Sequence, residues 1–283
     1  MRRAILIAAL FAAALTAAEP FFFIQLSDTQ FGMYAKDENF AQETANFQFA
    51  VATINRLKPK FVVITGDLVN KPGDAAQIAE YLRICATVDP SVKVYHVAGH
   101  HDVGNEPTRE SLDAYRHSIG RDYYSFQEGD LVGIVLNSQL IQHPEKVPSE
   151  FDAQETWLRS ELARARESGA KHIVVFQHQP WFIESPDEAD QYFNIPAERR
   201  AGYLALLREF GVRQVFAGHY HRNAGGRSGS LEMITTGPIG MPIDGAKSGM
   251  RIVAVKDTGI VHKFYDLGDL PNTVDASASR PLK

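Results

Sequence analysis

A chain of 283 residues with 45% hydrophobic and 22% charged side chains has the make-up of an ordinary globular protein, which excludes a disordered chain, a collagen-like repeat and a coiled coil. Its 29 Lys+Arg against 34 Asp+Glu give a formal charge of −5 with no long basic block. Nucleic acid is therefore excluded as a first choice of partner, because a phosphate backbone calls for clustered positive charge. One cysteine rules out a disulfide-stapled scaffold.

The chain opens on Met1-Arg2-Arg3, an apolar run from Ala4 to Ala14, and then Leu15-Thr16-Ala17-Ala18. A charged start, an apolar stretch and small residues before a polar segment are the parts of a secretory signal. Residues 1–18 are expected to be that signal, cleaved after Ala18, giving a secreted or periplasmic protein. The run is shorter than the ~20 residues of a bilayer-spanning helix, so no stable span is expected after cleavage. Loss of Arg2 and Arg3 shifts the charge from −5 to −7. Residues 19–270 then form one domain, followed by a polar tail, 271–283, expected to fray.

Beyond the signal, Phe21 to Leu26 reads as a strand, and the stretch from about Glu38 to Leu57 as a helix, with Phe40, Phe47, Ala50, Val51 and Ile54 on one face. Phe61 to Thr65 is a second strand, Asp74 to Thr87 a helix holding Cys85 as an apolar filler, and Val92 to Val97 a third strand. A helix from Thr108 to Ser118 precedes an antiparallel pair, Tyr123 to Phe126 and Leu131 to Leu136. Helix Asp152 to Glu167, strand His172 to Phe176, helix Pro196 to Phe210 and strand Arg213 to Phe216 follow. Leu231 to Thr235, Ile252 to Val255 and Ile260 to Tyr265 close the chain as strands. Alternating strands and helices predict βαβ units and a largely parallel sheet. The late strands predict a second sheet packed on the first.

Five of these strands run into Asp or His. Asp28 follows the first, Asp67 the second and His100-His101-Asp102 the third; His178 follows the fourth and His219-Tyr220-His221 the fifth. In α/β sheets the ligand site lies at the carboxyl ends of the strands. A single histidine there is more often structural than a ligand. Five such termini together predict a metal site, because converging carboxylates and imidazoles are costly to bury without a cation. The donor set suits Mn, Fe or Zn rather than calcium or copper–thiolate chemistry.

The strings Asp28-Thr29-Gln30, Gly66-Asp67, Gly99-His100-His101-Asp102, His178 and Gly218-His219-Tyr220-His221 resemble, in order and spacing, the calcineurin-like metallophosphoesterases. Asp28-Thr29-Gln30-Phe31-Gly32, Leu136-Asn137-Ser138-Gln139, Phe182-Ile183-Glu184-Ser185 and the run from Gly218 to Gly226 make the chain similar to the Ser/Thr protein phosphatases with a calcineurin-like phosphoesterase domain. The resemblance implies a four-layer α/β/β/α sandwich, two mixed sheets flanked by helices, with two divalent metal ions at the sheet ends. It implies that Asp28, Asp67 and His221 hold the first ion, and that Asp67 bridges to a second held also by His100, His178 and His219. Two such ions share and activate a hydroxide that attacks phosphorus. The resemblance then implies that His101 acts as general acid toward the leaving alkoxide or stabilises its developing charge, with Asp102 to orient it.

Two positions depart from the family pattern. Gln30 stands where most members have His, and it binds through its amide oxygen, hydrogen-bonds a bound water, or stays out of the site. His100 stands where the pattern has Asn; it is expected to ligate, with a crowded and less active site as the competing outcome. Arg222 and Asn137 are candidates for holding substrate, with a surface ion pair as the plain alternative for Arg222. His96, His117, His143, His172 and His262 lie outside the motifs and are expected to be structural or solvent-facing. Trp157 and Trp181 read as core aromatics, and the acidic stretch 184–190 as a solvated surface or a lid. The expected function is a dimetal phosphatase acting on phosphate monoesters, of a phosphorylated small molecule or a phosphoprotein. A phosphodiesterase or a nucleotide or sugar-phosphate hydrolase is the alternative within enzymes, and a non-catalytic metal- or phosphate-binding protein the alternative outside them.

Overall fold

A computed structural model of the chain describes residues 19–278 and Leu282; the expected signal, 1–18, and its cleavage point lie outside the described residues. The first strand, β1 (Phe21–Leu26), is followed by α1 (Ala41–Leu57), β2 (Phe61–Ile64), α2 (Ala75–Cys85), β3 (Lys93–His96) and two helices, α3 (His100–Val103) and α4 (Arg109–Ser118). The hairpin β4 (Tyr124–Glu128) and β5 (Leu131–Val135) leads to α5 (Ser138–Gln142), α6 (Pro148–Glu167), β6 (His172–Phe176), α7 (Ala197–Glu209) and β7 (Gln214–Ala217). Four strands close the fold: β8 (Ala224–Ser228), β9 (Leu231–Thr235), β10 (Gly249–Lys256) and β11 (Gly259–Asp266).

These strands form two mixed sheets, one in the order β11-β10-β1-β2-β3 and the other β4-β5-β6-β7-β9-β8. The late strands do not make a sheet of their own, as the sequence had suggested. β10 lies antiparallel to β1, Phe21 opposite Val255, whereas β9 lies parallel to β7. The reason is that β1 is apolar on both faces and needs a partner on both edges; β10, buried along nearly its whole length, fits beside it. The five strand ends are thus divided between the sheets, three on the first and two on the second.

Alternate residues of β1 serve two cores. Phe22, Ile24 and Leu26 pack against α1, α2 and α4 with Phe47, Ile54 and Ile84, while Phe23 enters the layer between the sheets. There Phe23 stacks on Phe61 at 4.6 Å between centroids and meets Phe176 and Phe216 edge-on. A third cluster joins β5, β6 and β7 to α6 and α7 and includes Trp181. This is the expected order of helix, sheet, sheet, helix.

Polar ties cross the inner layer near the strand ends. Gln25 donates to Thr65 Oγ1 and to the Ala217 carbonyl and accepts from Thr236 Oγ1. The first sheet is thereby fixed against the second where the strand-end loops emerge. α2 starts at Asp74, whose carboxylate accepts the Ala76 and Gln77 N–H groups. α6 starts four residues earlier than the periodicity indicates, because Pro148 sits at its first turn. The tail over 271–278 is tied down rather than frayed: Arg56 donates to the Pro271 and Asn272 carbonyls, and Ala276 is buried.

Candidate metal centre

Asp28, Asp67, His178 and His219 each follow the last residue of β1, β2, β6 or β7 by two or three positions, and His100 opens α3. The loops that carry them are laced together. The Asp28 N–H donates to the Gly66 carbonyl (3.0 Å), that of Gln30 to Asp67 (2.8 Å) and that of Gly218 to His178 (2.9 Å). Asp28 (φ 49°), Gln30 (38°), Asp67 (49°), His219 (69°) and His221 (53°) all lie in the left-handed region. For an L-residue that conformation costs roughly 1–2 kcal/mol. Its concentration in the residues that surround one point marks a built site.

Asp67, His100, His178 and His219 bring one donor atom each to within 4.8 Å of one another, and so do Asp28, Asp67 and His221. Asp67 belongs to both groups, and all of these residues are buried. His178 lies with Nε2 3.1 Å from Asp67 Oδ2, and His100 with Nδ1 3.2 Å from the same oxygen. His221 Nε2 is 3.4 Å from Asp28 Oδ1.

The hydrogen bonds on the far side of the rings fix which nitrogens face inward. His178 Nδ1 meets the Thr65 carbonyl (2.8 Å), His221 Nδ1 the Met241 carbonyl (2.6 Å) and His219 Nε2 the Tyr192 carbonyl (3.2 Å). A carbonyl only accepts, so each of these nitrogens carries a proton and the other nitrogen of a neutral ring offers a lone pair. Asp67 Oδ2 and His219 Nδ1 are buried without a hydrogen-bond partner. Lone pairs facing carboxylate oxygens across 3.1–3.4 Å, backed by N–H to carbonyl bonds, are the arrangement of a metal site, and the residues present fit one.

The electrostatics differ from ring to ring. Burial pushes His100 down to about 3. It also opposes charge on His178, but the Asp67 and Asp28 carboxylates outweigh it and lift that group to about 9. Burial raises Asp28, whereas at Asp67 the desolvation is overcome by His100 and His178, which hold its carboxyl well below the usual range. Positive charge is favoured at the contact of His178 with Asp67, while burial disfavours it on the His100 and His219 rings.

His101 lies beside this cluster rather than in it. Its backbone N–H donates to Asp67 Oδ1 (2.9 Å), and its ring Nδ1 bonds to the Asn70 carbonyl. Asp102, expected to orient that ring, has other partners: it accepts from the N–H groups of Leu68 (2.9 Å), Val69 (3.3 Å) and Gly99 (2.8 Å). It clamps the loop after β2 to the start of α3, and Asn70 is what sets the imidazole. Gln30 is anchored through Nε2 on Asn70 Oδ1 (3.2 Å), leaving Oε1 buried and unpartnered.

The two substrate candidates are placed otherwise. Asn137 caps α5, accepting from the Gln139 N–H (3.1 Å) and donating to Asp122 (3.0 Å); a side chain committed on both ends to the fold does not hold substrate. Arg222 pairs with Asp244 at 3.0 Å and lies over the Tyr220 ring, the surface role named as its alternative. Asn70 and Tyr192 are contacts of the site that motif spacing did not single out. The position of 184–190 directly after the His178 strand, which suggested a lid, was the available signal for Tyr192.

A family model described as calcineurin-like phosphoesterase matches residues 23–223. The chain is 39% identical over 267 residues to the serine/threonine-protein phosphatase CPPED1 of Homo sapiens, and likewise to that of Pongo abelii; each match covers 89% of this chain and 85% of the relative. Among solved structures, a dimetal phosphatase from Danio rerio superposes with a TM-score of 0.59 at 19% identity, over 87% of this chain and 99% of that one, which is a likeness of fold. The strand-end Asp and His residues, the two mixed sheets and these matches lead to one conclusion: the chain belongs to the calcineurin-like phosphoesterase family and is a phosphatase of that family.

Proposed function

We propose that this phosphatase hydrolyses phosphate monoesters, phosphoserine and phosphothreonine proteins among them, and that its centre holds two divalent ions. The observation that carries the reading is the pair of converging donor sets that share Asp67. Asp28, Asp67 and His221 would hold one ion and Asp67, His100, His178 and His219 the other, with Mn, Fe or Zn suited to these donors. Bound there, the ions supply water activation and neutralisation of phosphoryl charge.

The chain's own residues supply the rest. Asp67 lies between the two donor sets with one oxygen while its other accepts from the His101 backbone, so the ligand set and the acid are held by one side chain. With Nδ1–H of His101 fixed by Asn70, Nε2 is the nitrogen that delivers a proton to the leaving alkoxide. The CPPED1 relatives are named as serine/threonine-protein phosphatases, which supports the substrate class.

Metal content of protein purified without chelators should approach two ions per chain. The loaded enzyme should hydrolyse p-nitrophenyl phosphate faster than its bis ester, and phosphopeptides faster than nucleotides. His101→Ala should lower kcat by roughly 10²–10⁴-fold with metal content retained. Faster turnover of the bis ester or of nucleotides would overturn the monoester reading in favour of the diesterase or nucleotidase one. Export belongs to the same proposal and rests on the pattern over residues 1–18. A mature chain beginning at Glu19 in the exported fraction is expected, and an uncleaved cytosolic protein would contradict it.

A further inference from the structure

Beyond His178, the rest of the segment between β6 and α7 takes no part in the chemistry just described, yet it touches the centre twice. Tyr192 places its Oη 3.1 Å from His100 Nε2, and its carbonyl lies 3.2 Å from His219 Nε2. One residue thus meets two of the four members of the Asp67–His100–His178–His219 group. The residue is 61% exposed, so Tyr192 stands at the rim and not in the core.

A rim residue is useful as an anchor only if its loop is stiff, and this loop is. Glu188 accepts the N–H groups of Ile183, Glu184 and Ser185 and the Asn194 side-chain amide. Arg200, 1% exposed, reaches from α7 to the carbonyls of Pro186, Glu188 and Ile195. Burying a guanidinium is costly unless its donors are met. Here they are met by the loop, and the result is a fixed position for Tyr192.

His100 is the ring that needs this help. Its Nδ1 faces Asp67 Oδ2 and His178 Nε2, each at 3.2 Å, while its Nε2 faces Tyr192. An imidazole offers a lone pair at Nδ1 only in the tautomer that carries its proton on Nε2. The Tyr192 hydroxyl both donates and accepts, and as an acceptor beside Nε2 it supports that tautomer. An asparagine at the same place would present its amide oxygen without any such support.

We propose that Tyr192 is a positioning residue of the metal centre: its hydroxyl accepts the Nε2 proton of His100 and holds Nδ1 as a donor toward an ion shared with Asp67. The inference rests on the two-ion reading above. Titration of the chelator-stripped full chain with Co²⁺, followed by calorimetry and by visible absorption, tests it. Tyr192→Phe should weaken one of the two binding events by about 10–100-fold and alter the absorption of the bound Co²⁺. The melting temperature of the stripped protein should not change. In a His100→Asn background the same substitution should have no effect on either readout. Wild-type affinity and spectrum in Tyr192→Phe, or an equal loss in both backgrounds, would overturn the role assigned to the hydroxyl. A wild-type chain that binds no Co²⁺ would instead remove the two-ion reading, and this inference with it.

Discussion

Asp67 is the residue on which the most geometry converges. One oxygen accepts from the His101 backbone, and the other faces the rings of His100 and His178. Asp67→Asn keeps the first contact, since the amide oxygen still accepts, and removes the charge that both donor sets share. We expect ion binding by calorimetry to fall at both positions rather than one, and kcat to drop by more than ~100-fold. Retention of one ion at wild-type affinity would show that Asp67 serves a single position. That the six residues expected as ligands come together was legible from the sequence because each stands within four residues of a strand end, and strand ends of one α/β sandwich meet. Asp102 and Asn137 were read too generously for the opposite reason. A carboxylate or amide in a motif string looks functional until its hydrogen bonds are placed, and theirs go to backbone amides and a helix cap.

Among the elements, the strand-to-loop corners are tighter than their sequence announces. A Cβ on Gly218 would lie 1.8 Å from Ser27 Oγ and 2.6 Å from Asp28 Oδ2, so β7 leaves its sheet in contact with the end of β1. Gly218→Ala must therefore push Asp28 away from His219, whose N–H it accepts at 3.1 Å. Overpacking of this kind costs about 1–3 kcal/mol. Thermal melting should fall by several degrees, and ion binding at the Asp28 position should weaken more than at the other. An unchanged Asp28 affinity would mean that the corner yields without moving its carboxylate. Most of the strands and long helices followed from apolar period. β8 did not: Ala224-Gly225-Gly226-Arg227-Ser228 has no β-branched residue, and it is a strand because β9 supplies the antiparallel partner, Ala224 opposite Thr235. The short helices α3 and α5, four and five residues long, leave no periodic trace.

For the molecule as a whole, the two sheets also meet at the β3–β4 edge, where His96 and Tyr124 exchange hydrogen bonds through the Tyr124 hydroxyl, and Tyr81 Oη meets His96 Nδ1 at 2.7 Å. Burial pushes His96 down to about 4. The ring is neutral in the folded state and takes up a proton near 6.5 once unfolded, so stability is full above that pH and declines as pH falls toward about 4. The loss is of order 2 kcal/mol, discounted because the side chain is only partly buried. Urea midpoints measured between pH 7 and pH 4 should fall for the wild type and flatten in His96→Gln, and parallel curves would exclude His96 as the cause. The pairing of β1 with β10 has a consequence for how the chain comes off the ribosome. Phe21 finds its partner Val255 only after roughly 230 more residues are made, some tens of seconds at usual elongation rates. Until then β1 offers a bare apolar edge, the kind of edge that invites mispairing. Asp28, at its end, cannot be locked before that strand is. The phosphatase is therefore inert as a nascent chain, and it becomes an enzyme only when β10 has been synthesised.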